Sequence, residues 1–220
     1  PGSPGNPLER ALRKEYGHDG ERRDGRIIGY PAPLLLAYKN EDGIVTIELS
    51  KVCGKKAYIC DMDGVIYHGN RLLPGAKEFV DWLRAREKKF LFLTNSSQRS
   101  PRELHQKLSR LGVDVEKEHF YTSALATAGF LASQCPGGSA YVIGEAGLIN
   151  ALYNSGFSMN DVNPDYVVVG ESKTYNIETV EHAVHLVLGG AKLIGTNPDL
   201  TGPAERGIVP ATGALISPIE

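Results

Sequence analysis

Two apolar runs in this chain each lead straight into a polar cluster. Ala57-Tyr58-Ile59-Cys60 runs into Asp61-Met62-Asp63-Gly64, and Phe90-Leu91-Phe92-Leu93 runs into Thr94-Asn95-Ser96-Ser97. Short apolar runs bounded by turn-forming residues read as buried strands. Residues i and i+2 of an extended chain point the same way. Asp61 and Asp63 can therefore share one site at the carboxyl end of a strand, where open α/β sheets bind their ligands. Paired carboxylates attract a hard cation such as Mg²⁺. The hydroxyls, amide and turn N–H groups of Thr94, Asn95 and Ser96 suit phosphate oxygens. Together the clusters suggest phosphoryl transfer. One aspartate would be the covalent nucleophile; the other would protonate the leaving oxygen and then activate water. Gly64 lets the chain leave the strand sharply.

The elements around these clusters alternate strand and helix. Ala76 to Lys88 carries Ala76, Phe79, Val80 and Leu83 at helical spacing, which predicts an amphipathic helix; Trp82 is read there as packing. Ser100-Pro101-Arg102-Glu103 has a helix-start pattern: Ser at the N-cap, Pro at the first position and Glu at the third. Phe120-Tyr121-Thr122 is a third short strand, followed by a helix through Leu131. Strands are further expected at 140–143, 166–169 and 192–194, and helices at 148–155 and 177–188. Such alternation argues a parallel α/β architecture. Thr196-Asn197-Pro198-Asp199 follows a strand and suits a site or an Asx-type turn.

Outside this series, residues 1–26 are rich in charge, glycine and proline, a composition that does not offset the entropy of ordering, so a disordered tail is expected. Residues 27–54 suggest a β-hairpin, Leu34 to Tyr38 and Ile44 to Leu49, turning at Asn40-Glu41-Asp42-Gly43. The chain begins at Pro1 and its first methionine is Met62, inside the first cluster. It therefore reads as a fragment, a processed product or a translation carried upstream of the true start.

Composition bounds the function. Hydrophobic residues make up 41% and charged residues 23%, with a formal net charge of -2. That is ordinary for a soluble globular chain and gives no field favouring a nucleic acid polymer or an anionic membrane. No apolar run reaches the length of a membrane span. Three scattered cysteines form neither a disulfide framework nor a zinc site, which fits a cytoplasmic location. Cys60 reads as a small buried hydrophobe. Homo-oligomerisation is left open.

Asp61-Met62-Asp63-Gly64-Val65 resembles the first motif of the haloacid dehalogenase (HAD) superfamily, and Thr94-Asn95-Ser96 its second. Phe120-Tyr121-Thr122-Ser123-Ala124, Val142-Ile143-Gly144-Glu145, Asp161-Val162-Asn163-Pro164-Asp165, Val169-Gly170-Glu171, Thr196-Asn197-Pro198-Asp199 and Pro210-Ala211-Thr212-Gly213-Ala214-Leu215 are similar to its NagD branch. The order and spacing of these motifs, over about residues 55–220, make the resemblance specific. It implies a Rossmann-like HAD core with an inserted α/β cap of the C2 type. The first half of the core would be 55–137 and the cap 138–220, the second half of the core being absent. It implies a Mg²⁺-dependent phosphatase of small phosphorylated metabolites, nucleoside 5'-monophosphates foremost. Asp61 would be nucleophile and metal ligand. Asp63 would be acid/base, with its backbone carbonyl on the metal. Thr94, Asn95 and Ser96 would hold the phosphoryl group, while Asn197 and Asp199 would face the substrate from the cap. A lysine in a Gly-Lys-Pro context and a further acidic metal motif are expected after residue 220. The last core strands would follow them, so the sheet is expected to keep an exposed edge.

Rival readings of the same residues fare worse. An EF-hand loop starting at Asp61 would need Gly at position 66 and Glu at position 72, where Ile66 and Leu72 stand. Gly144-Glu145-Ala146-Gly147 lacks the G-x-G-x-x-G of a dinucleotide site. His182 and His185 share a helix face without a third ligand, so they read as helix-surface residues. Two functional alternatives remain at this stage: a non-catalytic fragment or binding module, and a phosphotransferase on the same scaffold.

Overall fold

A computed structural model of the chain describes residues 21–23, 26–29, 35–40, 43–48, 52–204 and 207–220. The chain divides into two compact units, Pro1–Lys56 and Ala57–Glu220. In the first unit, strand β1 (Glu21–Arg23) pairs antiparallel with β2 (Arg26–Gly29), and β3 (Leu35–Asn40) with β4 (Gly43–Glu48). Asn40 faces Gly43 across the second pair; Glu41 and Asp42 of the expected turn lie outside the described residues. Strand β1 falls inside the stretch expected to be a disordered tail; strand pairing satisfies backbone N–H and C=O groups whatever the side chains. Residues 1–20 of that expected tail lie outside the described residues.

The second unit opens with β5 (Ala57–Asp61), the small hairpin β6 (Tyr67–His68) and β7 (Arg71–Leu72), and helix α1 (Ala76–Ala85). Strand β8 (Lys89–Thr94), α2 (Pro101–Arg110) and β9 (Phe120–Thr122) follow. Strands β5, β8 and β9 form a parallel sheet in that order, with Asp61 facing Leu93 and Thr94 facing Thr122. The period of two sorts their side chains. Phe90, Phe92 and Phe120 go into a core with Val80 and Leu83 of α1 and Leu104 and Leu108 of α2. The opposite face carries Ile59 at 72% exposure, Leu93 at 43% and Tyr121 at 41%. Among the described residues β5 is an outer strand of this sheet. Helix α2 starts with the full capping box: the Ser100 hydroxyl oxygen accepts from the Glu103 amide, and the Glu103 carboxylate accepts from the Ser100 amide.

The rest of the unit comprises α3 (Ser123–Gln134), β10 (Ser139–Ile143), α4 (Ala146–Asn154), β11 (Ser158–Met159), β12 (Tyr166–Val169), α5 (Ile177–Leu188) and β13 (Lys192–Gly195). The hairpin β14 (Thr201–Ala204) and β15 (Gly207–Pro210) and the short helix α6 (Thr212–Ile216) complete it. Strands β11, β10, β12 and β13 make an all-parallel sheet in that order. Strand β12 is buried throughout, as expected of a strand with both sheet faces covered. Tyr166 and Val168 pack with α3 and α4, while Val167 and Val169 pack with α5 and Ile219.

Ala124, Ala128 and Leu131 of α3 sit in the same apolar cluster as Leu148 and Leu152 of α4. Helix α3 therefore belongs by packing to the four-stranded layer. That packing crosses Pro136-Gly137-Gly138, where a domain boundary is expected from the sequence. No helix among the described residues is long and apolar enough to cross a membrane.

Candidate active site

The site is built on the carboxyl ends of β5 and β8. Where β5 ends, alternation puts Asp61 outside, Met62 inside at 0% exposure and Asp63 half-buried on the outer side again. The chain then turns on one carbonyl, since the Met62 oxygen accepts from the amides of Val65, Ile66 and Tyr67. Gly64 closes this turn in the left-handed region at φ +80°, which a residue with a Cβ adopts only under strain. Its amide donates to the Tyr67 carbonyl at 2.8 Å. Asp61 Oδ1 accepts from the Met62 amide at 2.8 Å.

Asp63 feels the charge of Asp61. Burial pushes the Asp63 carboxyl above its ordinary value; nearby Lys107 opposes this, the Asp61 charge adds to it, and the Tyr67 hydroxyl and Arg99 also oppose it. The Tyr67 hydroxyl donates to Asp63 Oδ2 at 3.4 Å. The phenol is itself pushed up, by burial and then by the charge on Asp63. The Lys107 ammonium sits 3.4 Å from the centre of the Tyr67 ring; burial, then the Arg99 charge, lowers it to about 8.

Strand β8 is the neighbour of β5, so Thr94 lies one residue beyond the partner of Asp61. Thr94 is buried, and its Oγ1 accepts from the Ser96 amide at 3.1 Å. The loop is held from the four-stranded layer. Glu171, just beyond β12, takes the Ser97 amide at 2.7 Å and the Ser97 hydroxyl at 2.5 Å on one carboxylate oxygen. Asn197 Nδ2 donates to the Asn95 carbonyl at 2.8 Å and reaches Glu171 Oε1 at 3.5 Å. The Asn95 side-chain amide donates to Asp199. Helix α4 has no side-chain cap, and the Gln98 carbonyl satisfies its Gly147 amide at 3.1 Å.

The structure thus brings Asp61 together with Asp63, and Asn95 together with Asn197 and Asp199, with Thr94 at the end of β8 and Ser96 in the loop that follows. Tyr67, Lys107, Ser97 and Glu171 complete the arrangement without having been assigned roles from sequence. One signal was available. Lys107 occupies the buried stripe of α2 alongside Leu104 and Leu108, where a lysine is out of place. His182 bonds the Asp161 carbonyl at 2.7 Å and meets Tyr141 edge-on. Among the described residues no group of three or more His, Cys, Asp or Glu could hold a metal ion. Two adjacent carboxylates nevertheless suit Mg²⁺, which commonly keeps several waters and takes one or two protein carboxylates.

Residues 58–158 match the haloacid dehalogenase-like hydrolase family. A dihydroxyacetone phosphatase of Corynebacterium glutamicum is 46% identical over 159 residues, spanning 72% of this chain and 58% of that protein. The ribonucleotide monophosphatase NagD of Escherichia coli is 46% identical over 165 residues, spanning 75% of this chain and 64% of that one. The solved NagD structure superposes with a TM-score of 0.68. A glycerol phosphate phosphatase of Mycobacterium tuberculosis, solved in complex with magnesium, is 30% identical at a TM-score of 0.69 over 74% of this chain and 50% of that one. The chain belongs to the haloacid dehalogenase-like hydrolases. It spans about three-fifths of the length of the curated relatives it matches. In this family setting the β5 and β8 ends are the HAD core, and its relatives share the Rossmann-like fold with a cap.

Proposed function

We propose that the whole protein to which this chain belongs is a phosphatase of small phosphomonoesters, working through an aspartyl-phosphate. One observation carries the reading: an exposed Asp61 and a half-buried Asp63 flank a fully buried Met62 at the end of a strand whose neighbour in the sheet ends at Thr94. Asp61 is free to approach a phosphorus atom. Its carboxylate oxygen bonds to phosphorus as the bond to the leaving oxygen breaks, and Asp63 gives that oxygen its proton. Burial, which raises Asp63, favours the protonated form this step needs. Water then attacks the phosphorus of the aspartyl-phosphate, Asp63 takes the water's proton, and phosphate leaves with Asp61 regenerated.

Thr94 and Ser96 would hold the phosphoryl oxygens. Asn95, fixed by Asn197 and Asp199, would present the outer end of the site. The Asp61 carboxylate and the Asp63 carbonyl would hold Mg²⁺, whose charge offsets that of the phosphoryl oxygens when bound. Helix α3 onward would be the cap that covers the site and chooses the leaving group. The named activities of the relatives, on dihydroxyacetone phosphate, ribonucleotide and sugar phosphates, support the small-ester class. Among these, nucleoside 5'-monophosphates are the substrate proposed here.

The test is phosphate release by the purified whole protein with magnesium, against a panel of nucleotide, sugar and glycerol phosphates. Release that stops with Asp61→Asn and with chelation supports the reading. Normal turnover by Asp61→Asn overturns it.

A further inference from the structure

We propose that Tyr67 and Lys107 are a positioning pair for Asp63: the lysine, held over the ring, fixes the phenol, and the phenol's hydroxyl fixes the carboxyl. The inference rests on the reading of Asp63 as acid/base.

Three observations carry it. First, Lys107 lies in the buried stripe of α2 with 8% exposure, yet its neighbours Leu104 and Leu108 belong to the apolar core. A lysine kept there needs an electrostatic partner to offset its lost hydration. Second, that partner is an aromatic face, with the ammonium 3.4 Å from the ring centre, well inside the range of a cation–π contact. The ring is 2% exposed, so the contact is shielded from solvent. Third, the Tyr67 hydroxyl donates to Asp63 Oδ2, and the Tyr67 backbone is tied into the same turn by bonds to Met62 and Gly64. A rigid helix is thereby linked through one ring to one carboxyl. Plain core packing would be met by phenylalanine and methionine at these positions, with neither the hydroxyl nor the ammonium. Neither residue needs to touch substrate.

An acid whose orientation is lost harms reactions in proportion to how much the leaving oxygen needs a proton. The experiment compares an alkyl phosphate, glycerol phosphate, with p-nitrophenyl phosphate, whose leaving group departs readily without one. The whole protein is assayed as wild type, Tyr67→Phe, Lys107→Met, Lys107→Arg and Asp63→Asn. Tyr67→Phe keeps the ring and its volume, so it reports on the hydroxyl even should Lys107→Met fold poorly.

The expected result is a fall in kcat of about 10-fold or more on glycerol phosphate for Tyr67→Phe and Lys107→Met. The aryl ester should lose at most about threefold, with KM little changed on either. Lys107→Arg should recover most of the loss. Asp63→Asn should show the same bias, more strongly. Equal losses on both esters, or none, for the two pair variants beside a biased Asp63→Asn overturn the pair alone. An unbiased Asp63→Asn overturns the acid/base reading and the pair with it.

Discussion

The two strand-end loops of the site are held in opposite ways. The loop after β5 supports itself: three amides bond the Met62 carbonyl, the Met62 side chain is the anchor, and the backbone bonds at Met62 and Gly64 span five residues or fewer. The loop after β8 is braced from a distance, by Glu171 at Ser97, Asn197 at Asn95 and Gln98 at the start of α4. Local bonds make a loop whose shape survives changes elsewhere. Remote bonds make one whose shape depends on how the two layers meet. In functional terms, the proposed nucleophile is preset by its own turn, while the proposed phosphate-holding loop reports the position of the four-stranded layer.

The largest effect that would sharpen this contrast is in the first loop. Asp61→Asn should remove turnover to below detection in a phosphate-release assay. The side chain is exposed, so the denaturation midpoint should stay within about 0.5 kcal/mol of wild type. Next is the junction between layers. A Cβ at Gly147 would stand 2.7 Å from backbone atoms of Gln98 and Arg99, so Gly147→Ala should cost about 1–3 kcal/mol in urea unfolding. It should also raise KM by displacing the second loop. A milder break is Glu171→Ala, which leaves the Ser97 amide and hydroxyl without their acceptor. A loss of about 1–3 kcal/mol is expected, with KM rising more than kcat falls; the reverse pattern would assign Glu171 to the chemistry and not to the brace.

The smallest effect concerns pH. Lys107 is lowered to about 8 in the folded chain. Between there and the ordinary lysine value, the unfolded chain holds a proton that the folded chain has released. Stability contributed at this position therefore rises with pH across that window. Urea midpoints of wild type and Lys107→Met at pH 7.5 and 9.5 (conditions chosen below and within the window, roughly) should differ in slope in that sense. Parallel midpoints would show that Lys107 is not depressed by its burial.

The parallel α/β order, the capping box at Ser100 and the spacing of Asp61, Asp63 and Thr94 were legible because each depends on neighbours in the chain. Period-two alternation alone places Met62 inside and both carboxylates outside. The packing of α3 on the four-stranded layer was not legible, because Pro136-Gly137-Gly138 is a strong local breaker and the faces that α3 buries are contributed by residues 140–168. Lys107 stood out only as an anomaly in an apolar stripe, and its partner Tyr67 lies forty positions away.

What the sequence determined by itself is the chemistry on offer: two carboxylates at one strand end and hydroxyls at the next, in an order shared with the haloacid dehalogenase-like hydrolases. Only the tertiary structure decided which groups tune and brace them. Glu171, Asn197 and Asp199 meet the Thr94–Ser97 loop from positions 74 to 104 residues away. Contacts at that separation depend on how two sheets pack, and packing depends on buried faces summed over whole layers, which no local pattern encodes.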